Sequence, residues 1–247
     1  MILLSLDFET TGLDPANDRV IETGLVLWST GQHRIMEALN FFVESELPVN
    51  EEVTKVTGIT QPALDRFKYE EHQALSTITD LLNSADAILG QNILRFDKPI
   101  LQNWMRRKNH FAPGWEDKLV IDTLWDIPGV EGKKLQYMLA DHGKLNPFPH
   151  AAITDALSAV ILIEDHTTAD GNIEPILERA RSPFVILQSH QARTNNNDAK
   201  KFRFRWNPDL KMWWKPVKEL DVEALRKEAP FEISIRTDLS MDQLWVD

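Results

Sequence analysis

Residues Met1 to Asp14 read MILLSLDFETTGLD, and the rest of the chain is organised around them. Ile2, Leu3, Leu4 and Leu6 form an apolar run suited to a strand covered on both faces. Polar chemistry begins abruptly with Asp7, Phe8 and Glu9. Residues two apart on a strand share a side, so Asp7 and Glu9 would present two carboxylates together. Such a pair repels and raises its own pKa values unless a cation intervenes. Hard oxygen ligands suit Mg²⁺ or Mn²⁺. The plain alternative is an exposed strand end followed by a Thr-Thr-Gly turn. Thr10, Gly12 and Leu13 follow directly.

The 247 residues, 43% of them hydrophobic, suffice for one domain and a small second one. There is no cysteine, which excludes disulfides, thiolate metal sites and a cysteine nucleophile. It also fits a reducing cytoplasm, bacterial or that of a host if the chain is phage-encoded. The first apolar run lacks a basic lead and is too short for a signal peptide or a span. A soluble chain with no membrane partner is expected.

The net charge of −11 argues against gripping nucleic acid with the whole surface. It is unevenly spread. Residues 1–175 carry 14 Lys+Arg against 27 Asp+Glu, residues 176–218 carry 10 against 3, and residues 219–247 carry 3 against 8. Attraction for phosphates is thus concentrated in one late stretch.

Arg19 to Trp28 and Ile35 to Val43 read as two further strands around a Ser-Thr-Gly-Gln turn. Glu44 to Thr60 is expected to be mostly irregular. Helices are expected over Glu71–Asn83, from Asp97, from near Lys133 and over Ala151–Asp165, with strands at Ala85–Leu89 and Leu119–Ile121. The order β β β α β α β α α predicts an α/β sheet with an antiparallel edge and helices on its faces.

Two later segments carry chemistry. Gly90-Gln91-Asn92-Ile93-Leu94-Arg95-Phe96-Asp97 follows a strand, and Asp97 opens a helix, where a carboxylate also caps free N–H groups. Pro149-His150-Ala151-Ala152-Ile153-Thr154-Asp155 places a histidine before the third strong helix and an acid within it. On an ideal helix the two side chains would diverge by about 140°, which suits separate tasks. Histidine can accept a proton near pH 7.

Taken in order, these three segments resemble the motifs of the DEDDh 3′→5′ exonucleases, proofreading-type nucleases of ribonuclease-H-like fold. The resemblance covers roughly residues 1–168. It implies that Asp7, Glu9, Asp97 and Asp155 bind two Mg²⁺ or Mn²⁺ ions, with Asp7 bridging them and His150 as general base. Two such ions, about 3.5–4 Å apart, stabilise the attacking and leaving oxygens of a phosphodiester. The N–H groups of Thr10 to Leu13, Gly12 among them, and the Thr10 hydroxyl would meet the terminal nucleotide, with Leu13 stacked on its base or simply packing the turn. Asn92 would hold its loop or touch substrate, and Phe96 would pack beneath the site or near a nucleotide. Asp122 and Glu22 are expected to support the site. The activity implied is release of 5′-mononucleotides from single-stranded DNA 3′ ends, with proofreading in trans. The alternatives are an exoribonuclease or oligonucleotidase with the same mechanism, and a noncatalytic nucleic-acid or replisome-binding module.

A linker is expected between Asp165 and Pro175, and a small α+β module over 176–247 that ends in an acidic tail. Phe202, Phe204 and Trp206 alternate with Arg203 and Arg205, as in a half-buried strand with a basic face. Lys200, Lys201, Arg203, Arg205, Trp206, Trp213 and Trp214 are candidate accessory nucleic-acid contacts, against docking of a partner or plain structural support. The tail is a candidate dock for a polymerase or replication protein, although disorder or packing on its own domain is the simpler account.

Overall fold

The computed structural model describes residues 1–129, 134–193, 197–240 and 244. The chain divides into two compact units, Met1–Ala180 and Arg181–Asp247.

The first unit opens with β1 (Ile2–Thr10), β2 (Val20–Ser29) and β3 (Arg34–Phe42). These pair antiparallel as a meander. β4 (Ala87–Gly90) and β5 (Leu119–Asp122) then add in parallel on the other side of β1. The sheet order β3-β2-β1-β4-β5 puts β1 at its centre. This is the mixed sheet of a ribonuclease-H-like fold.

Alternation along β1 sorts its side chains by face. Leu4, Leu6 and Phe8 join the core formed with α3 (Glu71–Ser84) and α4 (Asp97–Arg107). Leu3 joins a second core, formed with α7 (Ala152–Glu164) and α8 (Glu174–Arg181). Ser5, on the same face as Leu3, donates its hydroxyl to the Ala156 carbonyl of α7 at 2.8 Å. Asp7 and Glu9 continue that face. Ile173, Ile176 and Leu177 lie in this second core, so the division between units falls later than the linker expected over 165–175.

The segment 44–60 is not irregular. It contains α1 (Glu51–Thr57), and α2 (Gln61–Phe67) follows at once. Asn50 caps the first by accepting from the Val53 N–H, and Gly58 ends it in the left-handed region at φ 75°. Thr60 caps the second, with Pro62 in its first turn. α1 buries no residue and α2 buries only Leu64, so no apolar periodicity announces them. A four-residue α5 (Thr123–Asp126) follows β5 directly. The short helix expected near Lys133, itself outside the described residues, is α6 (Leu135–Asp141).

The second unit is an antiparallel sheet of order β7-β8-β6-β9, made of β6 (Phe184–Ser189), β7 (Arg205–Asn207), β8 (Met212–Lys218) and β9 (Ile233–Arg236). α9 (Asn197–Lys201) precedes β7, and α10 (Val222–Glu228) precedes β9. The expected strand through Phe202 is shorter than its alternating pattern suggested. Gln191 accepts from the Ala199 N–H at 2.8 Å and secures α9, and Arg203 turns the chain at φ 62°. Only Arg205–Asn207 then pair, opposite Met212–Trp214. Phe204 remains buried against Leu187, Trp213 and Val217. In the tail, Leu244 is buried and Leu239 packs with it against Ile186, Met212 and Trp214. Met241 and Trp245 lie outside the described residues. Among the described residues no helix is long and apolar enough to cross a membrane.

Candidate active site

The site is built where β1, α4 and α7 converge. The Phe8 N–H at the end of β1 donates to Asp97 Oδ1 at 3.0 Å, while the Phe8 ring packs edge-on against Trp104 of the same helix. One residue thus ties the backbone between Asp7 and Glu9 to the first turn of α4. Asp97 is buried. Phe96 precedes it and packs on the core.

α7 reaches β1 and β2 closely because the sequence removes side chains from its path. Ala152, Ala156 and Ala159 are buried. Gly24 on β2 lies against the start of the helix. Beside it, buried Glu22 accepts from the Ala152 N–H at 3.2 Å and from Asn40 Nδ2 at 3.0 Å. A carboxylate at a helix N-terminus is favoured by the free N–H groups and the macrodipole there. Glu22 pairs directly with Glu9 across the strands.

Asp155, one turn into α7, is held on both oxygens. Buried Asn146 donates to Oδ1 at 2.5 Å, and the His150 N–H donates to Oδ2 at 3.0 Å. Asn146 Oδ1 in turn accepts from the Phe148 N–H at 3.0 Å, so one amide fixes both the acid and the loop leading to the histidine. His150 stands outside the helix in the left-handed region at φ 62°. The ideal-helix separation expected for His150 and Asp155 therefore does not apply. A ring nitrogen of His150 and carboxylate oxygens of Glu9 and Asp155 all lie within 4.8 Å of one another. The histidine is exposed.

The loop of the second motif is held by Asp122. Its buried carboxylate accepts from the N–H groups of Asn92 at 2.8 Å, Leu94 at 3.2 Å and Leu124 at 3.0 Å. Asn92 takes φ 56°, a conformation asparagine tolerates. Burial pushes Asp122 up to about 7, against the hydrogen bonds that favour its charged form. Asp122 is thus a brace for the loop.

The first-motif loop is braced by Asp18. Its carboxylate accepts from the Thr11 hydroxyl and the Asp14 N–H, both at 2.8 Å, and faces Gly12 so closely that a Cβ there would stand 2.5 Å from it. Asn103 and Arg107 of α4 hold the Pro15, Ala16 and Asp18 carbonyls. Thr10 is buried and donates to the Gly12 carbonyl at 2.5 Å. Leu13, at the crest, is 88% exposed.

The electrostatics of the acids are consistent with one shared site. Burial, followed by Asp97, Asp155, Glu9 and Glu22, drives Asp7 well above the carboxylate range. Glu9 is pushed up to about 8 by burial, then by Asp155 and Glu22. Burial raises Asp97 although the Phe8 N–H favours its anion. Asp155 is also raised by burial, against the bonds from His150 and Asn146. Among the described residues no lysine or arginine pairs with any of the four. Gathered carboxylates without a protein cation are a donor set for a hard divalent ion, and the Glu9–His150–Asp155 cluster can coordinate a metal.

Comparison with known proteins agrees with this geometry. The model of the exonuclease family RNase_T matches residues 4–163. The chain belongs to that exonuclease family. Its four carboxylates and histidine make it a DEDDh-type 3′→5′ member.

Over 119 residues, 48% of this chain, it is 33% identical to a PolC-type DNA polymerase III of Thermotoga maritima. The PolC-type polymerase of Mycoplasma pneumoniae is 32% identical over 138 residues. The chain spans only 8% and 9% of those polymerases. Among solved structures, E. coli exonuclease I in complex with a dA16 oligonucleotide is similar at TM-score 0.61, with 17% identity, over 97% of this chain and 60% of that one. The nuclease domain of 3'hExo, a DEDDh family member bound to rAMP, is similar at TM-score 0.55, with 21% identity, over 67% of this chain and 90% of that one. At these identities the likenesses concern the fold.

The candidate accessory residues all lie in the second unit. Lys200, Lys201, Arg203 and Arg205 are exposed and Trp206 is partly buried. Trp213 and Trp214 are buried, on opposite faces of β8. Sequence reading did not single out Asn146, Asp18 or Gly24. An Asn-Pro dipeptide marks only a turn, and the bonds of Asn146 and Asp18 are made within irregular loop segments that no periodic pattern marks.

Proposed function

We propose that this chain is a metal-dependent exonuclease that removes 5′-mononucleotides from the 3′ end of single-stranded DNA. The observation that carries it is the convergence of Asp7, Glu9, Asp97 and Asp155, with no lysine or arginine paired to them among the described residues, beside an exposed His150. The donor set fits two Mg²⁺ or Mn²⁺ ions. When bound, such ions neutralise the phosphodiester and stabilise the attacking and leaving oxygens. The chain's own residues do the rest. Asn146 and the His150 N–H hold Asp155 with its oxygens directed into the site. The His150 ring, free of the helix, accepts the proton of the attacking water at a ring nitrogen. Thr10, Gly12 and Leu13 receive the terminal nucleotide, with the Leu13 side chain against its base. Asn92 and Phe96 line the approach from the second motif.

DNA is favoured because the relatives at 32–33% identity are DNA polymerases, and a polymerase partner acting with the chain in trans follows the same logic. RNA is the second reading, favoured by the likeness to 3'hExo bound to rAMP. In this account the first unit, Met1–Ala180, is the nuclease and the second, Arg181–Asp247, an accessory module. Purified protein with Mg²⁺ on 5′-labelled single-stranded DNA and matching RNA tests it. A ladder shortening from the 3′ end, faster on DNA, is expected. Intact label on both would overturn the assignment, and faster loss of RNA would reassign the substrate.

A further inference from the structure

Lys200 and Lys201 end α9, Arg205 opens β7, and Lys211 sits at the β7–β8 turn with φ 49°. All four side chains are exposed, and none is in an ion pair among the described residues. Arg205 lies on β7, the edge strand of the second unit's sheet, with α9 shortly before it in the chain and Lys211 in the turn that follows it. Acidic residues gather instead in 219–247, which carries 3 Lys+Arg against 8 Asp+Glu and includes β9 at the opposite edge. Residues 181–218 hold 9 Lys+Arg and 2 Asp+Glu, whereas the first unit is strongly acidic, with 15 against 28 over residues 1–180. Along the chain the basic residues of the second unit thus precede its acidic ones.

The aromatics on this edge are not available as stacking platforms. Trp213 and Trp214 are buried. Trp206 packs against Trp213 with ring centroids 5.5 Å apart, and the Arg193 guanidinium lies 5.6 Å from the Trp206 ring centroid. With the rings occupied, the face can read charge and little else.

We propose that the α9–β7–β8 edge is a second binding site, which takes the sugar-phosphate backbone of single-stranded nucleic acid through Lys200, Lys201, Arg205 and Lys211. It reads no bases. It deepens the nuclease reading by giving an acidic enzyme a place to retain an acidic substrate. Binding by charge alone releases counterions, so affinity falls with salt by about 0.7 log units per log unit of salt for each phosphate contact.

The test uses the full chain in EDTA, which stops cleavage, and fluorescent (dT)20 and (dA)20 followed by anisotropy over a salt series. Because binding is read without turnover, its outcome is independent of whether the chain is a nuclease. The quadruple change Lys200→Glu, Lys201→Glu, Arg205→Glu and Lys211→Glu should weaken binding about a hundred-fold at low salt and remove about 3 units of salt slope. The two oligonucleotides should bind alike. The charge-neutral set, with Gln at all four positions, should move affinity and slope the same way without raising the repulsion further. Its melting temperature, compared with wild type, separates lost charge from lost fold. Hydrolysis of the small p-nitrophenyl ester of thymidine 5′-monophosphate should be unchanged in either set. Unaltered affinity or slope in a variant that melts like wild type overturns the proposal. So does base-selective binding, with (dA)20 and (dT)20 differing tenfold. Unlabelled polyglutamate that displaces (dT)20 more effectively than unlabelled (dT)20 does would overturn it as well and assign the edge to an acidic protein.

Discussion

Gly24 of β2 lies so close to Ala152 at the start of α7 that a Cβ on it would stand 2.1 Å from the Ala152 carbonyl carbon. The obstructing atoms are backbone, so nothing flexible can give. Because α7 carries Asp155 and its approach presents His150, this contact sets the distance between the third motif and the first. Gly24→Ala should cost about 3 kcal/mol, the upper end for overpacking. It should also lower the affinity for Mn²⁺. Thermal melting and calorimetric metal titration check both, and a variant with unchanged stability would show that the helix is not held there.

Asn146 donates to Asp155 at 2.5 Å and accepts from the Phe148 N–H. Asn146→Ala removes a partner of a carboxylate proposed to bind metal, and loss of such a partner typically costs about 10–100-fold in metal affinity or activity. The expected result is weaker Mn²⁺ binding by calorimetry, with Asn146→Asp worse because it adds a like charge. Unchanged affinity in the alanine variant would assign Asn146 to loop folding alone.

How much of this was legible follows from where each signal resides. The β1 run, its Asp7–Glu9 pair and the helix periodicities of α3, α4 and α7 are local patterns, and the sequence displays them directly. α1 and α2 escaped because they bury almost nothing, leaving only their caps, Asn50 and Thr60, as clues. The His150–Asp155 geometry was misjudged because His150 takes a left-handed conformation that a helical wheel cannot represent. Asn146 and Asp18 act within short loop segments that carry no periodicity, and Gly24 acts through close backbone approach to a helix far along the chain. In the second unit, alternation of Phe202, Phe204 and Trp206 imitated a strand that Arg203 interrupts.

The pH dependence of stability has a definite sign. Glu9 and Asp122 are raised to about 8 and about 7, and Asp7 and Asp97 are raised as well. The metal-free folded state then binds more protons than the unfolded chain. Stability is fully present below the unfolded carboxylate range of about 4 and is lost as pH rises through the folded values. Melting temperature in EDTA should fall between about pH 4 and pH 8, and Mg²⁺ should flatten that fall most at high pH. A metal-free melting temperature that rises over this range would contradict the cluster's electrostatics.

Leu13 is 88% exposed at the crest of a loop whose shape is fixed by Asp18 and Arg107. Leu13→Ala should leave stability within about 0.5 kcal/mol. If the side chain covers a base, KM for oligonucleotide should rise up to about tenfold with little change in melting temperature. Steady-state kinetics beside a melt provides the check, and an unchanged KM would leave Leu13 as a bystander.

Asp7, Glu9, Asp97 and Asp155 are proposed to form one divalent-cation site that drives removal of nucleotides from a 3′ end. A single Mn²⁺ titration tests it most directly, with ion binding followed by electron paramagnetic resonance and shortening of 5′-labelled single-stranded DNA followed in the same samples. Wild type should begin to shorten the strand as the site fills, and Asp7→Asn should lose both binding and shortening together. Shortening that persists in EDTA or in Asp7→Asn, or a filled site that leaves the strand intact, would contradict the account.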